Sequence, residues 1–236
     1  MKRQFSIISL VFILVVGAWQ YFHPTDSHNI LSSTVQNNIQ SAVKNMDILD
    51  NYDVSMRDDS IGPNATAPVD YYMLVLSWSP AFCTEQKQKF GKNLPTSAQY
   101  QCGLRQFGWV VHGLWPQNAN ARSVTDHPRF CQGDLPSLPK DLITSYLNIS
   151  PSAKLLQGEW EKHGACAFSS AKAYFDKQQT LFEQLVFPTH ELKRKELLRW
   201  MKQHNSQLKN IYLKANHSEL FICYDLNWQI RDCPQG

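Results

Sequence analysis

The chain has 236 residues, 43% of them hydrophobic and 18% charged, with a formal net charge of +3. That length suits one domain with an appendage or two small domains, and that apolar fraction excludes a chain without a core. The charge is too small to name a partner by itself. It is uneven, however: residues 1–69 hold 4 Lys/Arg against 6 Asp/Glu, and the remainder holds 19 against 14. A positive domain of this kind suits a polyanion.

Lys2 and Arg3 precede a run from Phe5 to Ala18 that carries no charge. This fits a signal peptide, with Val16-Gly17-Ala18 at the cleavage end. Continued through Trp19, Tyr21 and Phe22, the same run approaches the lower length limit of a single membrane anchor. Residues 1–22 therefore read as signal peptide or N-terminal membrane anchor. Both readings put the rest of the chain across a membrane: periplasmic, secreted, or tethered outside the cytoplasm. Residues 23–69 are polar and rich in Asn, Ser and Asp, and are expected to form a flexible linker with a weak helix around 30–49. Residues 70–236 are expected to be the folded domain.

Within it, residues 71–78 are apolar and β-rich, fit for a central strand. Residues 84–101 predict a short helix and a loop. Residues 107–112 predict a second strand that delivers His112 at its end, where Gly113 and Pro116 force a turn. A long loop over 117–139 precedes a short helix at 140–147. Residues 157–164 predict the end of a helix, on which Glu159 and His163, four apart, share a face with Lys162 at its edge. Residues 171–186 have the apolar stripe of an amphipathic helix, which Pro188 ends, and 191–202 predict another. Residues 219–224 read as a strand, with 228–233 pairing back on it. Strands at both ends with helices between give an α+β fold: a central antiparallel β-sheet packed with several helices.

All six cysteines (Cys83, Cys102, Cys131, Cys166, Cys223 and Cys233) follow residue 82 without C-x-x-C spacing. This argues for disulfides rather than zinc, and for an oxidising compartment. Fifteen pairings are possible.

Two segments carry chemistry: Trp-Val-Val-His-Gly-Leu-Trp-Pro at 109–116 and Gly-Glu-Trp-Glu-Lys-His-Gly-Ala-Cys at 158–166. Two histidines, a cation and a carboxylate are what metal-free cleavage of an RNA phosphodiester needs. One imidazole takes the ribose 2′-OH proton and the other protonates the departing 5′-oxygen. The cation stabilises charge building on the phosphorus oxygens. Unperturbed histidine titrates near ~6.5, so both forms are accessible around neutrality. Glu159 and His163 at helical spacing could instead serve zinc, but no third ligand is evident. Glu159 and Lys162 could be no more than an exposed ion pair. His127, His190, His204 and His217 are expected at the surface. The basic run at 193–195 is read as a solvated helix face, and Trp109 and Trp160 as packing residues.

The segment at 109–116 resembles the first active-site motif of the ribonuclease T2 family, aromatic-x-x-His-Gly-Leu-Trp-Pro. The segment at 158–166 resembles the second, His-Glu-Trp-x-Lys-His-Gly-x-Cys. Residues 71–83 resemble the family's first strand and turn, and the likeness takes in 70–233 but not 1–69. It implies an endoribonuclease that cuts single-stranded RNA through a 2′,3′-cyclic phosphate to 3′-phosphate ends, with a bell-shaped pH profile. It also implies no metal or cofactor, no action on DNA, which lacks the 2′-OH, and a monomer. Carried over, His163 is the base and His112 the acid, two roles that could be exchanged, while Lys162 and Glu159 polarise the phosphate. Trp115 belongs to the base-binding surface, where an indole can stack, and Gln117 to the base site. The likeness favours Cys131–Cys166; Cys223–Cys233 would close a strand–turn segment, leaving Cys83 with Cys102.

Two departures stand out. Gly158 occupies the position that often carries an additional, phosphate-binding histidine. Gln117 stands where many members have Asp, so an acceptor becomes an amide that donates and accepts, and relaxed base choice is expected. The alternative is a catalytically inactive, T2-like secreted binding protein; such proteins usually lose a catalytic histidine, and both are present here.

Overall fold

A computed structural model of the chain describes residues 49–53, 59–104 and 106–234. The signal-or-anchor segment and almost all of the weak helix around 30–49 lie outside the described residues. Among the described residues no helix is long and apolar enough to cross a membrane.

β1 (Tyr71–Trp78) is the middle of the sheet, flanked by β2 (Trp109–Gln117) and β4 (Glu219–Tyr224). The short β3 (Lys214–Ala215) and β5 (Ile230–Arg231) also pair with β4, and every pairing is antiparallel. β1 reads as one apolar run because both of its faces are covered: Leu74, Val75 and Leu76 are fully buried, as are Val111, Leu114, Leu220 and Ile222 on its neighbours.

The predicted turn at Gly113 is not there. β2 runs through the motif, with Gly113 opposite Val75, Pro116 opposite Tyr72 and Gln117 opposite Tyr71. β2 lies at the end of the sheet order, where a proline's missing N–H is tolerated. The register instead slips at one point. Leu76 faces Val111 and Val75 faces Gly113, so His112 is the extra residue of a β-bulge.

The helices are α1 (Ser79–Phe90), α2 (Thr96–Gln99), α3 (Lys140–Tyr146), α4 (Ala153–Lys162), α5 (Ala171–Glu183) and α6 (Arg194–His204). α1 starts earlier than expected because Pro80 falls in its first turn, where proline costs nothing. The pairs Cys83–Cys102, Cys131–Cys166 and Cys223–Cys233 are all bridged. The bridge to Cys131 ties the 117–139 loop to the end of α4.

Part of the stretch expected to be a free linker is packed. Leu49 and Tyr52 are buried. The Tyr52 hydroxyl donates to the Leu138 carbonyl, and Asp50 pairs with Lys140 at 2.8 Å. Further on, Gly62 N–H donates to Phe130 O at 3.0 Å. Burying two large apolar side chains offsets the entropy of ordering these few residues.

Candidate active site

α4 begins where the Ser152 hydroxyl accepts from Leu155 N–H. It is then buried on nearly every side, with Leu156 and Trp160 in the core. It stops at Lys162: His163 leaves helical geometry (φ −127°, ψ −51°) while its N–H still donates to Glu159 O. Gly164 follows because nothing larger fits. A Cβ there would lie 2.6 Å from the Trp160 ring and 2.8 Å from Tyr174.

β2 and α4 meet at the two motifs. The bulge turns His112 into a cavity of about 480 Å³ shared with Glu159, Lys162, Gly158 and Glu219, with an apolar wall that includes Trp78, Phe82 and Leu155. His112 Nδ1 lies 2.8 Å from Glu219 Oε1, and its Nε2 lies 3.6 Å from Glu159 Oε1. The other oxygen of Glu159 accepts the Trp115 indole N–H at 2.7 Å. Gly113 makes this approach possible: a Cβ there would fall 1.9 Å from Glu159 Oε2.

The two imidazoles are tuned in opposite directions. Burial pulls His112 down, but the hydrogen bond to Glu219 and the charges of Glu159 and Glu219 outweigh it, Lys162 opposing them. Its pKa is raised. His163 is held well below the ordinary histidine value, first by burial and then by Lys162, Arg129, His112 and His127. It is 1% exposed, and neither ring nitrogen has a hydrogen-bond partner. Burial raises the Glu159 carboxyl, against the pull of His112, the Trp115 hydrogen bond and the nearby cations.

Of the six residues expected in the site, the cavity gathers three: His112, Glu159 and Lys162. His163 lies behind them, stacked on Trp115 at 5.2 Å, and Trp115 meets His112 edge-on at 5.4 Å. The two histidines thus flank one indole. Gln117 does not line the cavity; it is buried, and its amide donates to Pro116 O. Among the described residues no group of three or more His, Cys, Asp or Glu side chains is placed to hold a metal ion.

Sequence reasoning missed two charged residues here. Glu219 opens a strand that is legible, but its partnership with His112 reaches across β1 and depends on sheet order. Arg129, in the loop before Cys131, acts electrostatically on both Glu159 and His163, and its spacing carries no signal of that.

Comparison with known proteins gives a consistent result. The model of the Ribonuclease T2 family matches residues 69–211. A protein of Haemophilus influenzae named probable ribonuclease is 54% identical, with 99% of each chain covered. The extracellular ribonuclease LE of Solanum lycopersicum is 31% identical over 52% of this chain and 54% of its own. Among solved structures, the RNase-related protein from Calystegia sepium has the same fold, with a TM-score of 0.52, at 21% identity, covering 71% of this chain and 92% of that one.

Proposed function

The chain belongs to the ribonuclease T2 family, and from that premise we propose that it is a metal-independent endoribonuclease acting on single-stranded RNA. Its first step is transphosphorylation. The ribose 2′-oxygen attacks phosphorus, the 5′-oxygen leaves, and a 2′,3′-cyclic phosphate forms. Water then opens that ring to a 3′-phosphate. The nucleophile is already in the substrate, so the protein has to move protons and stabilise charge.

The observation that carries this reading is the opposite tuning of His112 and His163 on either side of Trp115. A general base has to be unprotonated and a general acid protonated at the working pH. His163, with its lowered pKa, suits the base that takes the 2′-OH proton. His112, with its raised pKa, suits the acid that protonates the 5′-oxygen from Nε2. At a pH between the two midpoints, exchanging the roles would require both groups in their minority forms. Lys162 and Glu159 face the same cavity, where Lys162 suits the negative phosphorus oxygens and Glu159 helps to polarise the phosphate. His163 is 1% exposed, so taking the 2′-OH proton requires substrate entry to uncover its ring. Gln117 is engaged with its own backbone neighbour, consistent with low base specificity.

The three disulfides suit an oxidising compartment. With the N-terminal segment they support a domain exported to the periplasm or beyond, by a leader that is either cleaved or kept as an anchor. The mass of the mature N-terminus separates those two.

The test is cleavage of homopolymer RNA by the parent, His112→Ala and His163→Ala, each with and without a chelator. Each variant should fall by about 10²–10⁴-fold, with the parent indifferent to chelator. Variants as fast as the parent, or a parent silenced by chelator, would contradict the proposal. A parent that binds RNA without cutting it would favour the inactive binding protein.

A further inference from the structure

We propose that Glu219 is a positioning residue for His112, fixing its tautomer and ring orientation so that Nε2 is the proton-donating atom aimed into the cavity. This rests on the ribonuclease reading above.

Glu219 is the first residue of β4, two strands away from β2, with β1 between them. Its Oε1 sits 2.8 Å from His112 Nδ1. An ionised carboxylate only accepts hydrogen bonds, so Nδ1 has to carry a hydrogen, in the neutral ring as in the charged one. That leaves Nε2 as the atom that exchanges protons. The carboxylate is held in turn. Asn216 Nδ2 donates to Glu219 Oε2 at 3.0 Å, and Asn216 Oδ1 accepts from Glu219 N–H at 2.7 Å and from Ser218 N–H at 2.9 Å. The turn before β4 thus braces the carboxylate, the carboxylate braces the imidazole, and the bulge in β2 supplies the freedom to meet it. The titratable and charged groups facing this unit are Glu159 and Lys162 from α4 and His163 just past its end, with Glu85 of α1 and His217 of the turn before Glu219. Glu219 is the carboxylate in hydrogen-bonding range of the ring. In the reaction the Nε2 proton passes to the departing 5′-oxygen, while the Nδ1 proton stays on the ring against Glu219.

The test uses Glu219→Gln and Glu219→Ala in the full chain, with two readouts: the His112 ring-proton resonance against pH, and kcat/KM on homopolymer RNA against pH. Glutamine keeps a carbonyl acceptor for Nδ1 but removes the charge. It should lower the His112 titration midpoint by about one pH unit or more, and carry the alkaline limb of the rate profile down with it. Above that limb the rate falls about tenfold per unit. Alanine removes the acceptor as well, so it should also lose rate at the optimum, where glutamine stays closer to the parent. The near-isosteric glutamine variant carries the test alone if the alanine variant fails to fold. A His112 midpoint and alkaline limb unmoved in Glu219→Gln would overturn the proposal, whatever happens to the overall rate. If the parent leaves RNA intact, the ribonuclease reading fails, and the His112 titration still decides whether Glu219 controls that ring.

Discussion

Gly113 sets how closely strand and helix approach at the chemistry. A methyl group there would overlap the Glu159 carboxylate, which is already held by the Trp115 indole. Gly113→Ala should therefore displace Glu159 and lower kcat on the order of 10²-fold. The cost in stability, about 1–3 kcal/mol from overpacking, is readable as a drop in Tm, and an unchanged rate would mean that Glu159 is not held where the reaction needs it. The histidines make a second prediction at this scale. As the proposed base, His163 has to lose its proton, and its pKa is depressed, so the acidic limb of the rate profile should lie below the ordinary histidine value. As the proposed acid, His112 has to keep its proton, and its pKa is raised, so the alkaline limb should lie above that value. A plot of kcat/KM against pH should be a broad bell spanning both sides of it; a single sigmoid would remove one histidine from the scheme.

At the scale of elements, α4 presents the active site with one face and buries a carboxyl on another. Glu161 lies between Glu159 and Lys162 in sequence but is turned away from the cavity. It is fully buried. Burial, with Asp53 and Asp59 adding to it against a hydrogen bond from Gln157, pushes its carboxyl up to about 7 from 4.5. A carboxyl raised on folding stabilises the fold when protonated. That contribution is complete below pH 4.5 and is lost as the pH climbs through about 7. Glu161→Gln should remove this dependence, gaining Tm relative to the parent at pH 8 more than at pH 5; equal differences at the two pH values would contradict it. The elements themselves are largely legible in the chain. β1 and β4 show as apolar runs because their faces are covered, and α5 shows its stripe because one side meets the core. β3 is two residues long and has no pattern to show. The continuation of β2 past Gly113 is hidden because glycine and proline usually signal turns, and here the edge position removes the penalty. Candidate residues within a motif are readable because the chemistry constrains their types. The aim of His112 is not, since the bulge depends on register with β1, nor is the Glu219 contact, which needs three strands in order.

For the whole molecule, a sheet of three long strands brings two distant segments to one cavity, and the Cys131–Cys166 bridge fastens the second of them to the loop that carries Arg129. The excess of basic residues beyond residue 69 suits a polyanionic substrate in general and says nothing about ribose. In the proposed reaction the ribose is what is singled out, because only a 2′-OH lets a protein with two imidazoles and an ammonium cut the chain without supplying its own nucleophile. The most direct measurement is product analysis by phosphorus NMR on a uridylyl-uridine dinucleotide and its 2′-deoxy counterpart, both in excess chelator. The account predicts that the ribose substrate passes through a 2′,3′-cyclic phosphate before the 3′-phosphate, and that the deoxy substrate stays intact. Cleavage of the deoxy dinucleotide, or direct formation of a 3′- or 5′-phosphate with no cyclic species, would contradict it.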